Sequence, residues 1–260
     1  MTKACVLVFA GLDPSGGAGI QADIQAISAA GAHALPLITA LTVQTNQRVQ
    51  AVHPVAATLL RAQAETLIAH GTRINAVKIG IVGNAANAEV IADIIDTLRI
   101  TQRDLPVVLD PVLASGHGDL LTQGDAVRAL APLLQRATLI TPNLPEARQL
   151  TSSDGLQQQA AELLQSAENV LIKGGHGSDR HVMNTWFHPH GQRAWHWPRL
   201  SGEFHGSGCT LAAAIAARLA QGSALEAALD AAQHYTQGCL EHAFSIADGQ
   251  YIPDRIKEHV

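Results

Sequence analysis

The stretch Ala4-Cys-Val-Leu-Val-Phe-Ala10 runs straight into Gly11-Leu-Asp-Pro-Ser-Gly-Gly-Ala-Gly19 and then into a helical pattern from Ala18 to Ala30. A short, unbroken apolar run bounded by Gly, Asp and Pro reads as a strand buried on both faces. The glycines after it permit a tight turn into the helix. The same unit recurs along the chain. Leu35 to Val43 precedes a helical pattern from Val55 to Ala69, and Ala76 to Ile79 precedes one from Ala85 to Leu98. Further apolar runs lie at Val107 to Leu109, Thr138 to Ile140 and Asn169 to Ile172. Strands alternating with helices build a mostly parallel sheet with helices on both faces. From Val182 to Trp197 two aromatic and β-branched runs flank His-Pro-His-Gly, which predicts a small antiparallel hairpin. Two Ala- and Leu-rich helices follow, Thr210 to Ala220 and Ala224 to Ala243. With no repeat and no linker, residues 1–260 read as one α/β domain.

The composition narrows the function. The 260 residues are 47% hydrophobic and carry 17 Lys plus Arg against 22 Asp plus Glu, a net charge of −5. That sign argues against binding a nucleic-acid backbone. No apolar run reaches the roughly 20 residues that a membrane helix needs, so no membrane partner is expected. Cys5, Cys209 and Cys239 are too few and too scattered for a disulfide framework, which fits a reducing cytoplasm.

Ligands of such sheets sit beyond the carboxyl ends of the strands. The loops there are Gly11 to Gly19, Lys78-Ile-Gly80, Leu109-Asp-Pro-Val112, Thr141-Pro-Asn-Leu-Pro-Glu146 and Lys173-Gly-Gly-His176. Later, Gly206-Ser-Gly-Cys-Thr210 opens a helix. Free N–H groups of such a turn, with the helix dipole behind them, form an anion hole from Gly206, Ser207, Gly208 and Cys209; the plainer alternative is an N-cap by Ser207. In the first helical turn Cys209 is a candidate general base whose pKa the dipole lowers. Asp110 and Glu146 can hold Mg²⁺ through water and phosphates, and Lys173 can offset phosphate charge. Together these supply what phosphoryl transfer requires. Asp23, inside the first helix, reads either as a contact to a ring nitrogen or as a solvated helix face. Gln44 reads either as a partner for a heteroaromatic edge or as a strand end. Six histidines from His176 to His205 match no regular zinc spacing. Gly11 to Gly16 lacks the Lys and Ser/Thr of a Walker A loop.

Taken in order, these loops, with Ile38-Thr-Ala40, Leu139-Ile-Thr-Pro-Asn-Leu-Pro-Glu146 and His205-Gly-Ser-Gly-Cys-Thr210, resemble the hydroxymethylpyrimidine/phosphomethylpyrimidine kinases of thiamin biosynthesis, in the ribokinase-like superfamily. The resemblance implies a three-layer α/β/α fold, a homodimer, and ATP with Mg²⁺. It implies that Asp23 and Gln44 bind a small-molecule pyrimidine in a pocket lined by Gly11, Ile81 and Val112. It further implies nucleotide contacts from Asn143, Lys173 and the Gly206 to Gly208 turn, a metal region at Asp110 and Glu146, and Cys209 as catalytic base. The chain departs from the family pattern at Ser207, at Thr45-Asn-Gln-Arg48, in the Lys-free loop Val112 to Gly118 and at Gly202-Glu-Phe204. A pyridoxal or pyridoxine kinase is the nearest rival, disfavoured because Ser115 stands where that branch uses a lid cysteine. A non-catalytic ligand-binding relative is the rival from a different class.

Overall fold

The computed structural model describes residues 2–114, 119, 121, 123–177 and 179–256. Ser115 and the rest of the 115–118 stretch lie outside the described residues.

Among the described residues nine strands join one sheet, in the order β3-β2-β1-β4-β5-β6-β7-β8-β9. Its parallel centre is β2 (His33–Gln44), β1 (Cys5–Leu12), β4 (Ala76–Ile79), β5 (Val107–Leu109), β6 (Leu139–Ile140) and β7 (Val170–Ile172). Both edges are antiparallel: β3 (Val49–Pro54) on one side, β8 (His181–His188) and β9 (Gly191–Pro198) on the other. The predicted hairpin is thus an extension of the main sheet. The β3 edge strand was not read in the sequence, because its half-covered Val-Gln-Ala-Val-His-Pro carries no continuous apolar run.

Strand alternation divides the core into two layers. Leu7, Phe9, Val77, Ile79, Leu109 and Ile172 point to one face, where they pack on α2 (Ala57–Ala69), α3 (Ala85–Thr101), α4 (Ala126–Leu134), α5 (Leu144–Leu150) and α6 (Leu156–Leu163). Val6, Val8, Ala76, Val108 and Leu171 point to the other, against α1 (Gly19–Ala29), α7 (Ser207–Ala220) and α8 (Leu225–Glu241). The result is the expected three-layer α/β/α arrangement. Helix α7 is buried almost all round because alanine lets it lie close against the sheet, α1 and α8. Helices α4 to α6, short and mixed in pattern, had escaped the sequence reading. No helix among the described residues is long and apolar enough to cross a membrane.

Candidate active site

Beyond the carboxyl ends of β1, β4, β5, β6 and β7 lies a cavity of about 590 Å³, within the usual size for a small-molecule site. Its walls come from the loops after those strands and from the start of α7.

Helix α7 opens on Gly206, whose φ of 77° is left-handed and whose position has no side-chain cap. Ser207 therefore does not cap the helix; it is the first helical residue. Alanine at 206 would be strained, and its β-carbon would overlap the Gly17 carbonyl. Gly208 is required for a different reason: a β-carbon there would stand 3.0 Å from Lys173 Nζ and 3.6 Å from Asp110 Oδ2. The glycine thus lets the helix start approach a cation and a carboxylate held by two other loops.

Those two are themselves joined. Lys173 Nζ donates to Asp110 Oδ1 at 2.6 Å, and Thr141 Oγ1 donates to the same oxygen at 3.0 Å. Burial alone would lower the Lys173 pKa, but Asp110 and Glu146 raise it, so the ammonium stays charged. Glu146 takes part in a full capping box at the start of α5: its carboxylate accepts from Asn143 N at 2.7 Å, and Asn143 Oδ1 accepts from Glu146 N at 2.9 Å. Burial, reinforced by the charge of Asp110, lifts the Glu146 pKa to about 7 although Lys173 opposes it. Among the described residues no group of three His, Cys, Asp or Glu side chains is arranged to hold a metal.

Cys209, half-buried in the first turn of α7, lines the cavity. Burial pushes its thiol up to about 11, against the influence of Lys78 and a hydrogen bond from the Gly19 N–H. The sequence expectation of a lowered pKa is thereby corrected: loss of water outweighs the helix dipole.

Gly11, Gln44, Ile81 and Val112 line the same cavity, as do Asn143, Lys173, Asp110, Glu146 and the turn from Gly206 to Cys209. Asp23 does not. It sits fully buried behind the wall on α1, where Lys78 Nζ donates to its Oδ2 at 2.8 Å. The reason is alternation: Lys78 lies between Val77 and Ile79 on β4, so it points to the opposite face, onto α1. Removing Asp23 would strand a buried ammonium, a loss of about 3–5 kcal/mol. The member of the pair that borders the cavity is Lys78, which in the sequence stands out only as part of Lys78-Ile-Gly80. A lone lysine inside the wholly buried strand Ala-Val-Lys-Ile was the available signal.

Two further residues were missed in role. Asp13 accepts from Ser15 N and Ala18 N, each at 2.8 Å, and contacts His205 Nε2 at 2.8 Å. Burial alone would raise its pKa, but hydrogen bonds from His205, Gln44 and Ser15 bring it to about 2. Asp13 is thus the ionised centre of the Gly11 to Gly19 loop and ties it to His205, the residue that precedes the turn opening α7.

Residues 13–254 match the protein family described as phosphomethylpyrimidine kinase. The hydroxymethylpyrimidine/phosphomethylpyrimidine kinase of Haemophilus influenzae is 38% identical over 94% of this chain and 93% of its own length. That of Streptomyces coelicolor is 36% identical over 96% and 93%. Among solved structures, an ADP complex of Bacillus subtilis pyridoxal kinase aligns with a TM-score of 0.86 at 26% identity, covering 98% of both chains. The phosphomethylpyrimidine kinase of Clostridium difficile aligns with a TM-score of 0.78 at 30% identity, covering 92% of this chain and all of that one.

Proposed function

Since the chain belongs to the phosphomethylpyrimidine kinase family, we propose that it moves the γ-phosphate of ATP onto the hydroxymethyl group of 4-amino-5-hydroxymethyl-2-methylpyrimidine, and then onto the monophosphate so formed, in thiamin biosynthesis. The observation that carries this reading is the meeting, at Gly208, of an uncapped helix start with Lys173 and Asp110 on the wall of one cavity.

In this reading the N–H groups of the Gly206 to Cys209 turn hold the phosphoryl group as it moves, and Lys173 offsets its charge. Gln44 faces the amino-nitrogen edge of the pyrimidine beside Gly11, Ile81 and Val112, and Asn143 helps to seat the nucleotide. Asp23 acts through Lys78 rather than by touching the ring. Cys209 takes the proton of the attacking hydroxyl. Because its thiol is held up to about 11, the accepting thiolate is a minor species at neutral pH and turnover rises with pH.

Asp110 and Glu146 fit a divalent cation: both are buried acceptor carboxylates on the cavity wall, and the charge of Lys173 acts on both while its ion pair is with Asp110. With only two carboxylates they would hold Mg²⁺ through water and phosphate oxygens. The ion would supply charge neutralisation on the phosphates.

The reading includes a single kinase domain acting as a homodimer in a reducing cytoplasm. Three free cysteines support the compartment, and the exposed Leu41 and Val43 beside the β3 edge support self-association. A coupled ADP-release assay over hydroxymethylpyrimidine, its monophosphate, pyridoxal and pyridoxine tests the whole. Release with the pyrimidines is expected. Release with pyridoxal alone would transfer the assignment to the vitamin B6 branch, and none with any acceptor would leave a ligand-binding relative.

A further inference from the structure

Arg255 is one of the largest fully buried side chains in the molecule, with 1% exposure. A buried guanidinium normally needs a strong reason, since taking it out of water is costly. Here it donates to a hydroxyl, a side-chain amide and three backbone carbonyls. Nε reaches Thr210 Oγ1 at 2.7 Å, Nη1 reaches Gln25 Oε1 at 3.3 Å, and Nη2 reaches Gly17 O at 2.5 Å. Nη2 also lies 3.5 Å from the carbonyls of His205 and Gly206. These acceptors belong to the Gly11 to Gly19 loop, to α1 and to the turn that opens α7. One side chain therefore fastens the two glycine-rich loops of the site to each other.

The fastening has a direction. In a trans peptide the C=O and N–H point opposite ways, so a carbonyl held toward Arg255 leaves its partner N–H facing away. Thr210 Oγ1, accepting from Arg255, donates in turn to Gly206 O at 2.8 Å, and Thr210 N donates to the same oxygen at 3.0 Å. That oxygen is secured on the core side, and the N–H of Ser207 in the same peptide is turned the other way. On the neighbouring loop, Gly17 O is held by Arg255 while Ala18 N, in the same peptide, donates to Asp13.

The anchor itself is secured. Tyr235 OH donates to Arg255 O at 2.8 Å, Asp254 N donates to Cys239 O at 3.0 Å, and His205 N donates to Tyr251 O at 2.8 Å. Residues 251 to 255 are thus stitched to α8 and to the segment just before the turn.

We propose that Arg255 is a positioning residue for phosphoryl transfer: from behind the cavity it orients the peptides whose N–H groups receive the moving phosphoryl. The inference rests on the kinase reading above, because the turn matters only if an anion is held there.

The test compares wild type with Arg255→Gln and Arg255→Lys in the full chain, by steady-state kinetics and by amide hydrogen exchange of the ligand-free protein. Misaligned donors cost turnover more than binding, so kcat of Arg255→Gln is expected to fall about 10²-fold with both KM values within about threefold. Exchange should quicken at Ala18, His205 and Thr210, with Val77 and Asp110 as protected as before. Lysine keeps the charge without the planar fork, so Arg255→Lys should restore at most about a tenth of the lost turnover. If Arg255→Gln does not fold, the lysine variant alone decides: normal kcat overturns the proposal and a selective loss of kcat supports it. A loss that appears in KM, or exchange that quickens across the whole sheet, would overturn it as ordinary structural damage. Should wild type release no ADP with any acceptor, the kinase reading falls and the catalytic role of Arg255 with it, while quickening confined to the two loops would still show Arg255 as their anchor.

Discussion

Helices α5 and α7 both begin on the wall of the same cavity, yet their first turns are built in opposite ways. Helix α5 is closed on itself: Asn143 and Glu146 exchange side-chain hydrogen bonds with each other's backbone, and Pro145 removes a further donor. Helix α7 starts on a left-handed glycine with no capping side chain. A helix start whose donors are satisfied internally gains stability and has little to offer a ligand. One left uncapped gives up that stability and keeps its partial positive charge available. The contrast separates a stabilising terminus from a receptive one within a single site.

The contrast breaks most visibly at Gly206. Gly206→Ala should lower kcat about 10³-fold, the upper range for losing a donor to developing charge, and should also lower the melting temperature because of left-handed strain. A variant with turnover within a few-fold of wild type would show that the turn holds no phosphoryl group. Cys209→Ala comes next. It should retain the fold and lower kcat about 10²-fold, while the wild-type rate climbs between pH 7 and 10 as the thiol held at about 11 begins to ionise. A flat wild-type profile over that range would remove Cys209 as the base.

The α5 side should respond with the opposite sign. The Glu146 pKa of about 7 is raised in the fold above its ordinary value of 4.5. Its protonated form is thus favoured in the native state, and the stability this provides is present below about pH 4.5 and lost as pH rises through 7. Glu146→Gln keeps an acceptor for the cap and removes the buried charge. It should stabilise the protein at pH 8 by on the order of 1–3 kcal/mol and flatten the pH dependence of melting between 5 and 7, while weakening the response of turnover to Mg²⁺. A lower melting temperature for this variant at pH 8 would show that its charge is well accommodated. Asn143→Ala should have the smallest effect on stability, about 1 kcal/mol from the lost cap, with a raised KM for ATP because the residue helps to seat the nucleotide. An unchanged KM for ATP would leave Asn143 as a helix cap alone.

How much of this was legible in the sequence depended on whether the responsible contact is local. The central strands and α7 follow from runs of apolar residues and the glycine turn, whose causes lie within a few positions of their effects. The convergence of Asp110, Glu146, Lys173 and Cys209 on one cavity followed from the rule that loops at the carboxyl ends of strands face the ligand. Asp23 was misplaced because its neighbour in space, Lys78, is 55 positions away, and only the sheet register shows that the two face each other. The Cys209 pKa was given the wrong direction because the dipole is visible in the turn whereas burial depends on α1, β4 and the loops folded over it. Arg255 lay in a polar stretch with no pattern at all. Its importance comes from partners at positions 17, 25, 205, 206 and 210.

The bond between Gly17 and Arg255 closes a span of 238 residues. Synthesis lays down the glycine loop, the nine strands of the described residues and the α7 turn before the side chain that fastens them. Until that side chain docks, the two glycine-rich loops lack the tie between them, so the sheet that carries the site can form before the site's walls are fixed to each other.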